Sequence, residues 1–165
     1  MKKLVQAIVF SCGVLLFGGC ASIMNNNPES FNLVSEPSSA KVIVKDVKAD
    51  TIVLQNHTPF SITLEKKHGF FSGKEYLVNV SKAGFKDVSF AIKPSVSGWY
   101  IGGNLIFGGL IGYLIVDPAT GAMWNLVPEK HEQVSTDKQI ITVKLLSDLS
   151  ESEQAKLRVS EPIIK

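Results

Sequence analysis

Between Phe31 and Ile92 the sequence alternates apolar and polar residues in short runs, with turn-forming residues between the runs. In one run Val42 and Val44 alternate with lysines, and later runs follow the same period of two. This period places the apolar side chains on one face of a strand. The turns recur about every eight to twelve residues, which is typical of an all-β sandwich and too short for crossover helices. We therefore expect a mainly β chain that folds as a small antiparallel β-sandwich.

Three motifs in this region resemble the PEGA domain family: EPSSAKV at 36–42, TPFSITL at 58–64 and YLVNVSKAGF at 76–85. The resemblance covers about residues 31 to 93 and departs from the family at 46–50, where DVKAD stands in place of Asp-Gly. It implies a small β-sandwich module of extracytoplasmic bacterial proteins that binds other surface components and carries no known catalytic residues. Within the third motif, Gly84 is expected to turn the chain with a positive φ.

The segment Gly98–Val116 has nineteen residues and no charge, and Asn104 is its one polar residue besides two tyrosines. We expect an apolar, glycine-rich helix or helical hairpin here, within an insertion at 98–126 that precedes the last strand. Its glycines recur four apart, a spacing that lets another backbone approach closely. Aromatic residues bracket it as they do at a membrane interface. The candidate residues for contact with a membrane or a partner are Trp99, Tyr100, Gly102, Gly108, Gly112 and Trp124.

Three interpretations of this segment stay open. The helix could be packed on the β-sandwich, it could lie on or in a membrane, or it could associate with a second copy of the chain. Its six glycines disfavour a stable isolated helix, since each costs about 1 kcal/mol relative to alanine. Asp117-Pro118 is expected to end the helix, because proline disfavours helical backbone in the residue before it.

One further strand is expected over residues 140–146, with Ile141, Val143 and Leu145 on the face that closes the sheet. The sandwich would therefore extend over residues 31–147. Beyond it, Ser150 and Glu153 have the spacing of a capping box, so residues 148–165 are expected to form a short helix and a tail.

The amino-terminal region has the composition of a signal peptide. Two lysines precede an uncharged run from Leu4 to Phe17, which is too short to span a bilayer as a helix. The sequence LLFGGC at 15–20 resembles the lipobox of bacterial lipoproteins. The resemblance implies a signal peptide over 1–19, lipidation of Cys20 and a membrane-lipid partner. The polar residues that follow, within 20–30, are expected to form a tether.

Ala21 and Ser22 follow the cysteine, and no aspartate stands beside it. In Gram-negative lipoproteins this pattern resembles the default for the outer membrane, with the body expected to face the periplasm. Without residues 1–19 the count of Lys and Arg falls from 17 to 15, which equals the 15 acidic residues. No basic field remains that would favour nucleic acid as a partner.

The sequence contains no constellation that indicates catalysis, a bound metal or a cofactor. His57, His68 and His131 lack metal-binding spacing, and no nucleophile elbow or phosphate loop occurs. We expect a non-enzymatic, lipid-anchored envelope protein that acts as a structural or binding module. Its partners would be membrane lipid and an envelope protein or cell-wall component, with a homo-oligomer as a further possibility. The alternative is a membrane-inserting or self-associating factor that uses residues 98–116.

Overall fold

The computed structural model describes Asn25 and residues 28–147. The signal peptide expected over 1–19, the lipidation site Cys20, most of the tether expected over 20–30, and the helix and tail expected over 148–165 lie outside the described residues. The tether region contributes Asn25 and the first residues of a strand that begins at Glu29.

The chain is mainly β with an inserted helical segment, as the sequence predicted. The strands of the described part are β1 Glu29–Glu36, β2 Lys41–Asp46, β3 Thr51–His57, β4 Phe60–Leu64, β5 Lys67–Gly69, β6 Ser72–Gly73, β7 Tyr76–Ser81, β8 Val88–Val96, β9 Trp124–Pro128, β10 Val134–Asp137 and β11 Ile140–Lys144. Burial alternates along most of them, because successive side chains of a strand point to opposite faces.

The strands form two larger sheets and one two-stranded ribbon. The orders are β10-β11-β1-β4, β3-β2-β7-β8-β9 and β5-β6. Neighbouring strands are antiparallel in β2–β3, β2–β7 and β10–β11. One pair differs from the expected antiparallel pattern, since β1 runs parallel to β11 with Leu33 opposite Ile141. The strands of this pair are far apart in the sequence, so the long connection that a parallel pair needs is present.

The chain divides into two compact units. The first comprises the described residues up to Ser30 together with Thr63–Glu75 and Ile92–Val127. The second comprises Phe31–Ile62, Tyr76–Ala91 and the described residues from Pro128 onward. The second unit buries the apolar face of its strands. Its core consists of Phe31, Leu33, Ala40, Val42, Val44, Ile62, Tyr76, Val78, Val80, Val88, Phe90, Val134, Ile141, Val143 and Leu145.

The turn between β2 and β3 is closed by the side chain of Asp46. The buried carboxylate of Asp46 accepts hydrogen bonds from the backbone N–H groups of Lys48 and Ala49, both at 3.0 Å. Asp50 takes the left-handed conformation at φ 55°, which aspartate tolerates better than most residues. Gly84 also has a positive φ of 81°, as expected.

A buried polar network holds the loop between β1 and β2 against the start of β4. The Thr58 hydroxyl accepts from the backbone N–H of Ala40 at 3.0 Å and shares a hydrogen bond with the Ser35 hydroxyl. The Thr58 backbone bonds Ala40 O and Ser39 N as well. Ser35 and Thr58 are 7% and 3% exposed. The Ser35 hydroxyl donates to the carbonyl of Pro37 at 2.7 Å, so the Thr58 hydroxyl is the donor to Ser35 and both buried hydroxyls are satisfied.

The inserted segment is a helical hairpin over residues 98–120, here called the hairpin. Its helical pieces are α1 Gly98–Gly103, a π-helical piece Asn104–Gly108, α2 Gly109–Ile111, a second π-helical piece Gly112–Val116 and α3 Asp117–Thr120. The helix does not end at Asp117-Pro118, contrary to expectation. Pro118 lies near the start of α3, where proline is tolerated because its missing N–H is not needed.

Three strands follow the hairpin, whereas the sequence indicated one. Ile141, Val143 and Leu145 are buried as predicted for that strand. Strand β9 occupies the end of the expected insertion, and β10 lies in the charged stretch before β11. Strand β10 is four residues long, too short for its alternation to stand out in the sequence.

We expect Thr58→Val to lower the free energy of unfolding by about 1–3 kcal/mol, because the buried backbone N–H of Ala40 loses its acceptor. Thr51→Val, at an exposed position of β3, is the matched control and should leave stability nearly unchanged. Urea unfolding followed by circular dichroism measures both. Equal stabilities of the two variants would contradict the role of the network.

Candidate functional site

The hairpin consists of two antiparallel arms, residues 98–108 and 110–120, joined at Gly109. Ser97 caps the first arm, since its hydroxyl accepts from the backbone N–H of Trp99 at 3.2 Å. Gly109 has φ 49° and ψ −157°, a conformation that only glycine adopts readily, and its N–H bonds the carbonyl of Asn104. One residue therefore reverses the chain, and the backbone N–H of that residue is hydrogen-bonded within the hairpin.

A buried polar contact joins the two arms. The Asn104 side-chain amide donates a hydrogen bond to Oδ2 of Asp117, and both residues have 0% exposure. Asn104 Oδ1 lies against Gly112, where a Cβ atom would come within 2.2 Å of it. No hydrogen-bond donor in the described part of the chain reaches this oxygen. Gly112 therefore provides the space that the Asn104 side chain fills between the arms.

The two tyrosines of the hairpin make a second contact between the arms. Their rings meet edge to face, with centroids 5.2 Å apart and an interplanar angle of 81°. The Tyr100 hydroxyl donates to the carbonyl of Tyr113 at 3.0 Å, and the Tyr113 hydroxyl donates to the carbonyl of Ile101. Both phenol groups are thus bonded to the opposite arm of the hairpin.

The outer surface of the hairpin is apolar. Eight of its large apolar side chains are exposed by half or more: Trp99, Ile101, Leu105, Ile106, Leu110, Ile111, Leu114 and Ile115. The most exposed are Leu105 at 77%, Leu110 at 74% and Ile106 at 72%, and these three lie close to the turn. The hairpin therefore buries the polar side chains of Asn104 and Asp117 and exposes its large apolar side chains, the reverse of a helix pair in water.

Polar groups are concentrated at the open end of the hairpin, its base. The backbone N–H of Ser97 donates to the carbonyl of Met123 at 2.8 Å and closes the base. The Lys67 ammonium group donates to the carbonyl of Ala119 in the last helical turn. A charged side chain therefore contacts the hairpin at its base, at the end opposite the turn.

Asn25 fastens the amino-terminal side of the chain to the same base. Its side-chain amide donates to the carbonyls of Ala122 and Trp124 at 2.8 and 3.0 Å, and to Oδ1 of Asn125 at 2.9 Å. Its Oδ1 accepts from the ammonium group of Lys66 at 2.8 Å. A residue from the expected tether is therefore held at a fixed place in the first unit.

Lys66 and Glu29 form a half-buried charged pair beside Asn25. Lys66 is only 4% exposed, and Glu29 Oε2 accepts from the backbone N–H of Leu126 at 2.8 Å. Burial raises the pKa of Glu29 above its usual value, although the Leu126 hydrogen bond and the charge of Lys66 act the other way. Burial likewise lowers the pKa of Lys66. Desolvation thus outweighs the attraction within this pair.

The structure separates the predicted contact residues into two groups. Trp99 and Gly102 are exposed on the first arm, and Gly108 lies on that arm next to the turn. Tyr100 and Gly112 face the opposite arm. Trp124 lies half-buried in β9, with its ring close to Gly73, where a Cβ atom would meet it at 3.1 Å.

Sequence reasoning missed the leucines and isoleucines of the outer surface, the pairing of Asn104 with Asp117, and Asn25. The sequence did contain a signal for the pair, because Asn104 is the one polar interruption besides the tyrosines and Asp117 follows the run directly. No local pattern marks Asn25, whose partners lie about 100 residues away in the sequence.

Comparison with known proteins gives no relative: no family model, no curated protein and no solved structure matches this chain. Within Asn25 and residues 28–147, no group of three or more His, Cys, Asp or Glu side chains is placed to hold a metal ion. In the same part of the chain, no helix combines the length and hydropathy needed to cross a bilayer.

We expect Gly112→Ala to open the hairpin, because the added methyl group overlaps the buried Asn104 side chain. Gly102→Ala is the matched control, since a Cβ atom there meets nothing within 4 Å. Alanine at 102 should stabilise the helix by up to about 1 kcal/mol. Hydrogen exchange of the hairpin amides measures the difference. Equal protection in the two variants would show that Asn104 does not hold the arms together.

We expect Glu29→Gln to gain stability relative to the native chain as the pH rises from 4 to 7. The folded state holds the Glu29 proton more tightly than the unfolded state, so its contribution is full below about pH 4.5 and is lost as the pH rises through the folded-state pKa. Glutamine cannot lose that contribution. Urea unfolding at both pH values measures the change, with Glu132→Gln as the control for one lost charge. If Glu29→Gln lost stability relative to the native chain between pH 4 and pH 7, the raised pKa of Glu29 would be contradicted.

Proposed function

We propose that the chain is a lipid-anchored protein of the bacterial cell envelope that acts as a non-enzymatic structural or binding module. The amino-terminal pattern that resembles a lipobox supports the anchor at Cys20. The β-sandwich, together with the three motifs that resemble PEGA, supports a module that binds a component of the envelope. An envelope protein and a cell-wall component are the partner classes that this resemblance favours.

The observation that carries the proposal is the sequence LLFGGC at 15–20, and the hydrogen bonding of Asn25 limits where its cysteine can lie. Cys20 precedes Asn25 by five residues, and an extended chain spans at most about 3.6 Å per residue. Cys20 therefore lies within about 18 Å of the Asn25 backbone, whatever the conformation of the residues between them. Lipid on Cys20 would hold the base of the hairpin at the membrane surface, so the module works close to the bilayer.

The residues after the cysteine support a location at the outer membrane, with the module on its periplasmic side. Ala21 and Ser22 lack the acidic side chain that resembles a signal for retention at the inner membrane. Three acyl chains on one cysteine would make such an anchor stable, because one chain alone binds a bilayer only marginally.

The second candidate is a membrane-inserting or self-associating factor that uses Gly98–Val116. The exposed apolar surface of the hairpin favours it. A second copy of the chain could approach the glycines at Gly98 and Gly102, where a Cβ atom would meet nothing within 4 Å. The face at Gly112 is closed, because Asn104 of the same chain fills it. This candidate predicts that the chain remains with membranes or forms oligomers after the lipid on Cys20 is lost.

We expect Cys20→Ser to abolish incorporation of labelled palmitate in bacteria that express the full chain. Cys12→Ser is the matched control and should retain the label, because residue 12 lies within the expected signal peptide. Gel autoradiography after membrane fractionation measures both variants. Palmitate label on the Cys20→Ser chain would contradict the lipid anchor.

A further inference from the structure

We propose that the hairpin inserts turn-first into the hydrocarbon of the leaflet to which the chain is anchored, without crossing the bilayer. The partner of its apolar surface is thus lipid acyl chains. The choice of leaflet rests on the proposed anchor at Cys20, whereas the insertion itself rests on the geometry of the hairpin.

The arrangement of polar groups within the hairpin carries the inference. A polar group in hydrocarbon needs a partner inside the protein, because no water is present to bond it. Asn104 donates to Asp117 at 0% exposure, and the hydroxyls of the partly exposed tyrosines donate to carbonyls of the opposite arm. Among the described side chains of the hairpin, Asn104 Oδ1 is the one buried polar atom without a partner. The side chains left outside are leucine, isoleucine and tryptophan. Polar residues of membrane-embedded helices face the interior and pair with each other in the same way.

The length of the hairpin fits one leaflet. The first arm consists of pieces of six and five residues, which at 1.5 Å per residue reach about 16 Å. Half of a hydrocarbon core of about 30 Å is about 15 Å. The turn at Gly109 would therefore lie near the bilayer centre, where the backbone N–H of Gly109 is already hydrogen-bonded to the carbonyl of Asn104.

The base carries the groups expected at the membrane surface. Lys67 donates to the carbonyl of Ala119, and Trp99 lies at the start of the first arm. Lysine and tryptophan are both favoured at the level of the lipid headgroups. Asn25 is bonded to Ala122 at this same end, so the chain leading to Cys20 also begins at headgroup level. The hairpin and the lipid anchor would thus enter the same leaflet.

A protein partner fits this surface less well. Interfaces between soluble proteins have a polar rim around their apolar centre and about one hydrogen bond per 100–200 Å². The exposed residues from Leu105 to Ile115 include no charged side chain, and the glycines among them offer only backbone groups. Lipid acyl chains form no hydrogen bonds. They therefore suit a surface on which the exposed side chains are apolar.

Depth-dependent fluorescence quenching tests the inference on the full lipidated chain, purified from membranes and reconstituted in phosphatidylethanolamine–phosphatidylglycerol vesicles. Trp99→Phe and Trp124→Phe remove the native tryptophans, and Leu110→Trp places a reporter beside the turn. Lipids brominated deep in the acyl chain should remove most of this emission. Ile52→Trp in the same background is the matched control, because Ile52 is also highly exposed, at 62%, but lies in β3. Its emission should be unaffected.

A Leu110→Trp chain that floats with the vesicles but keeps its reporter emission would overturn the insertion while leaving the lipid anchor intact. Chain that fails to float would contradict both the insertion and the anchor, because an inserted hairpin would itself hold the chain on the vesicles. An emission blue-shifted without quenching would also overturn the insertion, since it would show the turn buried against a second copy or another protein.

A photoactivatable acyl-chain lipid tests the unsubstituted chain, so the result does not depend on the tryptophan variants folding. Cross-links mapped by mass spectrometry to residues 105–115 support the insertion. Cross-links confined to the amino terminus would contradict it.

Discussion

The hydrogen bond between Asn104 and Asp117 is the interaction on which the hairpin depends. Two polar side chains with no exposure are stable only when each finds a partner, and here each arm provides one. The contact fixes the register of the arms and therefore decides which side chains point outward. With Asn104 and Gly112 between the arms, the leucines and isoleucines have no place inside and form the outer surface.

The two π-helical pieces lie at the residues that form the contact between the arms. They begin at Asn104 and at Gly112, the two residues that meet between the arms, and the second ends where Asp117 begins α3. A π-turn inserts an extra residue into the helix and rotates the side chains that follow it.

The sequence predicted the β fold well because its information is local. The period of two predicts that each strand buries one face, with Val42, Val44, Val78 and Val80 on the buried faces, and all four are buried. The same reasoning placed Ile141 and Val143 inside. The parallel pairing of β1 with β11 was not predictable in this way, because strand alternation says which face is buried but not which strand lies alongside.

In the hairpin, by contrast, the sequence pattern did not predict which side chains are exposed. Its composition predicted an apolar helical segment, but an apolar residue in such a segment can face the protein, a partner or lipid with the same sequence pattern. Tyr100 and Trp99 are neighbours in the chain, yet one bonds the opposite arm and the other is 55% exposed. The deciding information was the place of the few polar residues, since a buried polar side chain must face its partner. The outer surface of the hairpin is therefore better predicted from the positions of Asn104, the tyrosines and Asp117 than from the apolar residues that form it. In an apolar glycine-rich segment, pairing the polar residues first gives the orientation of all the others.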